Sequence, residues 1–302
     1  MFYFITVNYW SQALVKNLIR SISDSIKSSY RIIIVNNSPE ETSVKNLSNE
    51  IIKIIEPGTN LGFGKACNLG IKYVYSVDKN AIIWLINPDT TVDFGADDYV
   101  KACLKGEPFT AILGTQVRDT RNQTWFGTGE FNKWNGRLYH RTASTSQSVQ
   151  STGTSPCTWV SGCSLIINLS QFDNYPSFDP HFFLYAEDAD FCVSYGQKGY
   201  RIVVTDKALV THQVSAIIGR NKSFMYEHYT FGRLFFLKKH AAPTGFALYV
   251  AYLLIVIAIS GSLGSENALG RWCGLKRFYR NRNFNLDWAD SNQKIASYNH
   301  LK

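Results

Sequence analysis

From Phe2 to Ile86 short apolar runs alternate with stretches of helical period, and that alternation restricts the fold more than any other property of the chain. Residues 2–7, 31–35, 50–55 and 81–86 are strand-like runs bounded by turn-forming residues. Between the first two, residues 12–26 repeat apolar side chains at Leu14, Leu18, Ile22 and Ile26, and between the last two, residues 65–77 form a second helical stretch. Strands separated by helices need crossover connections, which predicts a parallel, doubly wound α/β sheet. Open sheets of this kind bind ligands beyond the carboxyl ends of their strands. The fourth run ends there in Asn87-Pro88-Asp89. Mg²⁺ and Mn²⁺ take oxygen ligands, usually one or two carboxylates completed by phosphates, so Asp89 is the place for a cation or a phosphate group. Taken alone, the tripeptide reads equally well as a plain turn.

A second acidic cluster, Glu187-Asp188-Ala189-Asp190, follows the apolar run Phe182-Phe183-Leu184-Tyr185-Ala186. Acidic side chains suit the first turn of a helix, where the dipole favours them, and a carboxylate there is also placed to act as a base. The segment Asn60-Leu61-Gly62-Phe63-Gly64-Lys65 joins the third strand to its helix, and its glycines permit a backbone that brings amides near a phosphate or ribose. It has neither the Gly-Lys-Ser/Thr ending of a P-loop nor the Gly-x-Gly-x-x-Gly spacing after a first strand. Beyond about Asp97 the alternation weakens. Residues 114–153 are rich in Thr, Ser, Asn and Gln and predict long loops over an irregular sheet, with 140–156 as a flap. Residues 159–167 restore a buried strand whose small residues, Gly162 among them, leave room for a sugar. His212 closes another strand-like run after Val210-Thr211.

The 302 residues, 45% of them hydrophobic, suffice for one large core, expected as a catalytic domain with an appendage. A net charge of +8 and a pI near 9.1 call for an anionic partner. The charge gathers late: Arg271, Lys276, Arg277, Arg280 and Arg282 fall in a stretch without an acidic residue, interleaved with Trp272, Leu275, Phe278, Tyr279 and Phe284. Residues 245–263 just before it are uncharged and about as long as a bilayer crossing requires. Together they predict attachment to the cytoplasmic face of a membrane and argue against nucleic acid as the partner. Arg233, Lys238 and Lys239 lie on the other flank, so the positive-inside rule gives no direction, and an interfacial or re-entrant helix fits better than a spanning one. A buried core helix is the competing expectation. Six cysteines without metal-type spacing, and a strand-like opening in place of a signal peptide, predict a reducing cytosol.

With these segments in order, the chain resembles the family 2 glycosyltransferases of GT-A fold, and among them the bacterial rhamnosyltransferase-like enzymes of surface-polysaccharide assembly, O-antigen or capsule. The residues that carry the likeness are Thr6-Val7-Asn8-Tyr9, Val35-Asn36-Asn37-Ser38, the stretch 60–70, Asn87-Pro88-Asp89, Gly162, Phe178-Asp179, the stretch 182–192 and His212. They cover most of residues 1–240. The resemblance implies a doubly wound mixed sheet, with 1–105 as the nucleotide-sugar-binding half, 106–240 as the acceptor-binding and catalytic half, and 241–302 as a membrane-associating C-terminal segment.

It also implies roles. Donor contacts fall at Thr6, Asn8, Asn36, Asn60, Gly62, Phe63, Lys65, Asn68, Asn87 and Asp89. Asn36 stands where the family has a base-pairing aspartate; an amide offers both donor and acceptor, which leaves thymine and uracil equally open. Asp89 matches the last acidic residue of the Asp-x-Asp element and Asn87 its first position, with His212 as a further ligand for Mg²⁺ or Mn²⁺. Asp188, supported by Glu187, matches the base that takes the acceptor hydroxyl proton during an inverting displacement. Trp159 and Gly162 would meet the acceptor. The expected reaction moves rhamnose from dTDP-rhamnose to a polyprenyl-diphosphate-linked saccharide at the cytoplasmic membrane surface. Two alternatives stand beside it: a UDP-sugar enzyme transferring galactose, galactofuranose, glucose or N-acetylglucosamine, and a catalytically silent nucleotide-binding scaffold.

Overall fold

The computed structural model describes residues 1–142, 153–213, 222–262 and 265–280. Most of the expected flap, together with Arg282 and Phe284, lies outside the described residues.

Strands β1 (Phe2–Asn8), β2 (Tyr30–Asn36), β3 (Ile52–Ile55) and β4 (Ile82–Ile86) are separated by helices α1 (Gln12–Ser25) and α2 (Phe63–Val77) as the alternation predicts. β1 pairs in parallel with both β2 and β4, and β2 in parallel with β3. Every residue of β1 is buried, because helices cover both faces of the sheet. Phe2 and Phe4 point to the face covered by Val15, Leu18 and Ile22 of α1, while Tyr3, Ile5 and Val7 meet Ala66, Ile71 and Val74 of α2 on the other. Each such Ile, Val or Phe contributes about 1.5–3 kcal/mol by leaving water.

Beyond β4 the sheet turns mixed. After β5 (Thr90–Val92) and helix α3 (Ala96–Gly106) come β6 (Thr110–Asp119), β7 (Thr124–Phe126), β8 (Thr128–Asn132), β9 (Arg137–Arg141), β10 (Thr154–Pro156), β11 (Ser164–Asn168), helix α4 (Glu187–Gln197) and β12 (Arg201–His212). The main sheet runs β10-β12-β6-β11-β4-β1-β2-β3, with β5 on β12 and β7 on β6. β11 is antiparallel to both β4 and β6, and β6 is parallel to β12. Both expected halves of the chain therefore share one continuous sheet. The stretch predicted as loops contains the end of β6, β7 and the separate β8–β9 hairpin. β7, β8 and β9 are short and only partly buried, which is why they lack an apolar run in sequence.

Three helices follow: α5 (Lys222–His240), α6 (Pro243–Ser262) and α7 (Glu266–Arg280). Phe231, Leu234 and Phe235 of α5, Leu253 of α6, and Leu275 and Phe278 of α7 form a third core with Phe182 and Val193. Charge fastens this bundle to α4: Lys239 Nζ lies 2.7 Å from both Asp179 and Asp190, and His240 Nε2 is 2.8 Å from Asp190. α6 is the one described helix long and apolar enough to cross a membrane, and of its residues only Gly245 and Leu253 are buried. The core-helix expectation for 245–263 is thereby overturned.

Candidate active site

The carboxyl ends of β4, β1 and β2 lie side by side at one edge of the sheet. Asn8 and Asn36 are register partners there, and both are fully buried. Asn8 Nδ2 donates to Asn36 Oδ1 at 3.0 Å and to Glu41 Oε2 at 2.7 Å, while the Ser38 amide donates to the same Asn36 oxygen at 3.2 Å. A nucleobase that takes the Asn36 oxygen displaces one of these donors, whereas Asn36 Nδ2 donates to Glu41 O at 3.5 Å and carries a second N–H. Thr6, two residues earlier on the same face of β1, is also buried and its Oγ1 has no hydrogen-bond partner.

The loop before α2 is shaped by backbone constraints. Gly62 has φ +78°, and a Cβ there would lie 2.2 Å from the carbonyl oxygen of Phe183; only glycine combines that dihedral with that approach. Phe63 N donates to the same carbonyl at 3.0 Å. Asn37 Nδ2 donates to Gly62 O, and Asn60 Oδ1 accepts from Gly62 N. Asn68 spends its amide on both backbone groups of Phe178, 2.9 and 2.7 Å away, so it holds the 178–186 segment against α2. Lys65 sits half-buried in the first turn of α2, and desolvation lowers its ammonium pKa.

Asn87 and Asp89 follow β4. Asn87 N donates to Cys163 O at 3.1 Å, and the Asp89 carbonyl accepts from Gln213 N at 2.8 Å. Pairing of β5 with the end of β12, Thr90 opposite His212, carries the imidazole to Asp89. His212 Nε2 is 3.2 Å from Asp89 Oδ1, both side chains are about nine-tenths buried, and that oxygen has no hydrogen-bond partner. The Trp125 ring stands edge-on to His212 at 4.4 Å, fixing the imidazole plane. A buried, unpaired carboxylate oxygen facing an imidazole nitrogen is a donor set that suits a divalent cation whose remaining positions go to phosphate and water. Among the described residues no third His, Cys, Asp or Glu joins them.

Asp188 lies on the other side of the same segment. Its Oδ2 accepts from Gly162 N at 2.9 Å and its Oδ1 from Ala189 N at 2.8 Å. Because Gly162 touches Asp188 while Cys163 O holds Asn87, two adjacent residues tie both acidic clusters together. A Cβ on Gly162 would lie 3.0 Å from the Phe63 ring, which closes the third side. Tyr185 and Ala186 precede Glu187 with φ +70° and +66°, an uncommon conformation for non-glycine residues and of the kind that clusters at functional sites. Gly232 of α5 supports this bend: a Cβ there would meet Tyr185 O at 2.3 Å.

The two neighbouring carboxyls differ. Burial and then the charge of Asp188 push Glu187 up to about 8, and its Oε2 has no partner. Burial raises Asp188 too, but the Gly162 and Ala189 amides oppose it. Unequal environments of this kind separate acid from base. At neutral pH Glu187 keeps a proton, while two backbone amides favour the ionised form of Asp188. Trp159 lies half-buried against the Phe126 ring, with its indole N–H donated to the carbonyls of Glu130 and Tyr139. Glu41 and the orienting contact of Trp125 were not legible in sequence, since each depends on partners brought from other strands.

Residues 3–189 match the family model for glycosyl transferase family 2, more than half of the chain. This protein is a member of that family. The family 2 chain is a glycosyltransferase, and it is 25% identical over 209 residues to N-acetylglucosaminyl-diphospho-decaprenol L-rhamnosyltransferase of Mycobacterium tuberculosis, covering 63% of this chain and 68% of that protein. Among solved structures its fold is similar to GalNAc-T7 with UDP, GalNAc and Mn²⁺ (TM-score 0.60, 11% identity, 79% of this chain but only 47% of that one). It is also similar to the mannosyltransferase PcManGT of Pyrobaculum calidifontis with GDP-Man and Mn²⁺ (TM-score 0.54, 11% identity, 94% and 81% covered). S. aureus TarS 1-349 gives a TM-score of 0.50 at 16% identity, with 80% and 67% covered. The mixed sheet is that of the GT-A glycosyltransferases.

Proposed function

We propose that this glycosyltransferase carries a sugar, with rhamnose from dTDP-rhamnose as the leading donor, to a saccharide linked to a polyprenyl diphosphate, inverting the anomeric centre. The observation that carries the proposal is the Gly162–Cys163 dipeptide, which bonds Asp188 through its first residue and Asn87, two positions before the His212-paired Asp89, through its second. Asp188 takes the proton of the acceptor hydroxyl, and Gly162 N and Ala189 N hold its carboxylate in place for that transfer. Protonated Glu187 adds no second negative charge beside it. Asp89 Oδ1 and His212 Nε2 would hold Mg²⁺ or Mn²⁺, which when bound offsets negative charge on the leaving diphosphate. Donor contacts come from the loop of Asn60, Gly62, Phe63 and Lys65 and from Thr6, Asn8 and Asn87 near the strand ends, with Trp159 and Gly162 toward the acceptor. The Mycobacterium tuberculosis relative, whose name places rhamnose on a lipid diphosphate, supports both substrate classes.

An acceptor of that class lies in a membrane, so the bundle α5–α7 brings the site to the cytoplasmic surface in polysaccharide assembly. The test is a donor screen with dTDP-rhamnose and a panel of UDP-sugars against extracted acceptor lipid, with and without Mn²⁺. Metal-dependent transfer from dTDP-rhamnose is expected. Transfer from a UDP-sugar alone would replace the donor, and no transfer from any donor would refute the catalytic proposal.

A further inference from the structure

α6 is apolar on every side, yet only one side is covered. Phe246, Tyr249, Val250, Leu253 and Ile257 pack onto α5 and α7. Leu248, Tyr252, Ile255 and Ile259, each between 58% and 61% exposed, recur at steps of four, three and four residues as one bare stripe along the helix. A soluble monomer rarely leaves such a continuous apolar stripe in water.

The neighbours of this stripe have the composition of a headgroup interface. α7 exposes Leu269, Trp272, Lys276, Tyr279 and Arg280 at helical spacing, and Lys276 Nζ lies 4.9 Å from the Trp272 ring. At the start of α6, the tip of the β8–β9 hairpin presents Trp134, 66% exposed, with Lys133 Nζ 4.9 Å from its ring. The tip is bonded to the helix, since Ala242 N donates to Lys133 O and Thr244 Oγ1 to Trp134 O. Tryptophan and tyrosine favour the membrane–water boundary, and lysine and arginine there attract anionic headgroups.

Register decides how α6 meets that boundary. Gly270 of α7 abuts Ser223 of α5, Gly274 abuts Glu227, and Phe278 meets Phe231, so α5 and α7 run in parallel over their length. Phe246 of α6 meets Phe278 and Gly261 meets Ala268, so α6 runs back between the same two levels. A spanning α6 would drag both companions into the hydrocarbon. α7 carries Glu266, Arg271, Lys276, Arg277 and Arg280, while α5 carries Lys222, Glu227 and the Lys239 that is locked to Asp190 of the catalytic helix. Charges at bilayer depth are costly, and this many in two helices forbid the spanning arrangement.

Resting on the membrane attachment proposed above, we propose that α6 lies flat in the surface of an anionic lipid bilayer. Its bare stripe sinks to the headgroup–acyl boundary, and Trp134, Trp272, Lys133, Lys276 and Arg280 anchor it without any crossing. The occupant of the exposed face is thus lipid, chosen over a protein groove because of the basic and indole-rich frame.

The full-length chain is tested with vesicles of phosphatidylglycerol and phosphatidylcholine, and with phosphatidylcholine alone. Binding to the neutral vesicles is expected to be about a hundredfold weaker or less detectable still, three basic side chains each supplying a severalfold factor. Ile255→Gln with Ile259→Gln is expected to weaken vesicle binding by about tenfold while dTDP binding and thermal melting stay unchanged, because both residues are exposed in solution. Depth is read by bimane on Leu248→Cys, Ile255→Cys or Ser262→Cys in a Cys273→Ser background, quenched by lipids spin-labelled near the headgroup or mid-chain. Equal, shallow quenching at all three positions is expected. Deep quenching confined to Ile255→Cys, with Ser262→Cys shielded from external reagents, would overturn the flat arrangement and leave membrane attachment intact. Failure of the full-length chain to bind either vesicle would remove both, and equal binding to the two vesicles would remove the anionic requirement.

Discussion

Replacing Glu187 with glutamine should stabilise the protein at high pH and leave it unchanged in acid. The Glu187 carboxyl is buried beside Asp188, its Oε2 lacks a partner, and its pKa is pushed up from 4.5 to about 8. Below pH 4.5 it is protonated whether the chain is folded or not, so it contributes no difference. Between 4.5 and about 8 the unfolded chain releases a proton that the folded chain keeps, and stability falls as pH rises. The gap, at about 1.4 kcal/mol per pH unit, sets a ceiling of about 5 kcal/mol. Shared titration with Asp188 keeps the effect below that ceiling, and each 1 kcal/mol of it corresponds to about 2–4 °C in Tm for a large domain. Melting followed by circular dichroism should therefore give nearly equal Tm values for wild type and Glu187→Gln at pH 4.5, and a higher value for the variant at pH 8. A protonated carboxyl and an amide both carry a donor and an acceptor at this place, so the acid-side difference stays small and the pH-dependent part is diagnostic. A difference that stays the same from pH 4.5 to 8, or reverses sign, would refute the assignment of a proton to Glu187.

Asp188→Asn should lower kcat by about 10²–10⁴-fold, as loss of a general base does, with nucleotide affinity by calorimetry unchanged; undiminished transfer would end the base assignment. Trp125→Leu frees the His212 ring and should weaken apparent Mn²⁺ affinity by about tenfold, measured by titration with the fold monitored separately; unaltered affinity would dismiss Trp125 as an orienting group. Gly62→Ala forces a Cβ to 2.2 Å from Phe183 O at φ +78° and should destabilise by about 2 kcal/mol or more through strain and overpacking. Urea denaturation checks it, and a neutral result would mean that the loop moves freely.

The first half of the fold was readable because its physics is local. β1 to β4 are buried on both faces and so appear as unbroken apolar runs, and α1 and α2 repeat their apolar residues on one face; the observed bounds differ from the expected ones by two residues or fewer. β8 and β9 escaped because half-buried strands mix Thr, Glu, Asn and Arg with their apolar residues. α5 carries aromatic side chains on several faces, since it contacts α4 on one side and α7 on another, which blurs a single-face pattern. In the site, Asp89, Asp188 and His212 were legible from their positions at strand and helix ends. What could not be read was Asn36 turned inward to Asn8, a partner 28 positions away, or the inequality of Glu187 and Asp188, which two backbone amides create.

The pairing of β5 with the end of β12 has a further consequence for biogenesis. Asp89 leaves the ribosome long before His212, and the two meet only when the last strand of the main sheet docks beside Thr90. A nascent chain that has completed its first four strands has the parallel part of the sheet, but half of the Asp89–His212 pair is still unsynthesised. The pair proposed for the donor diphosphate is thus complete only in a single late event, after β12 has been made.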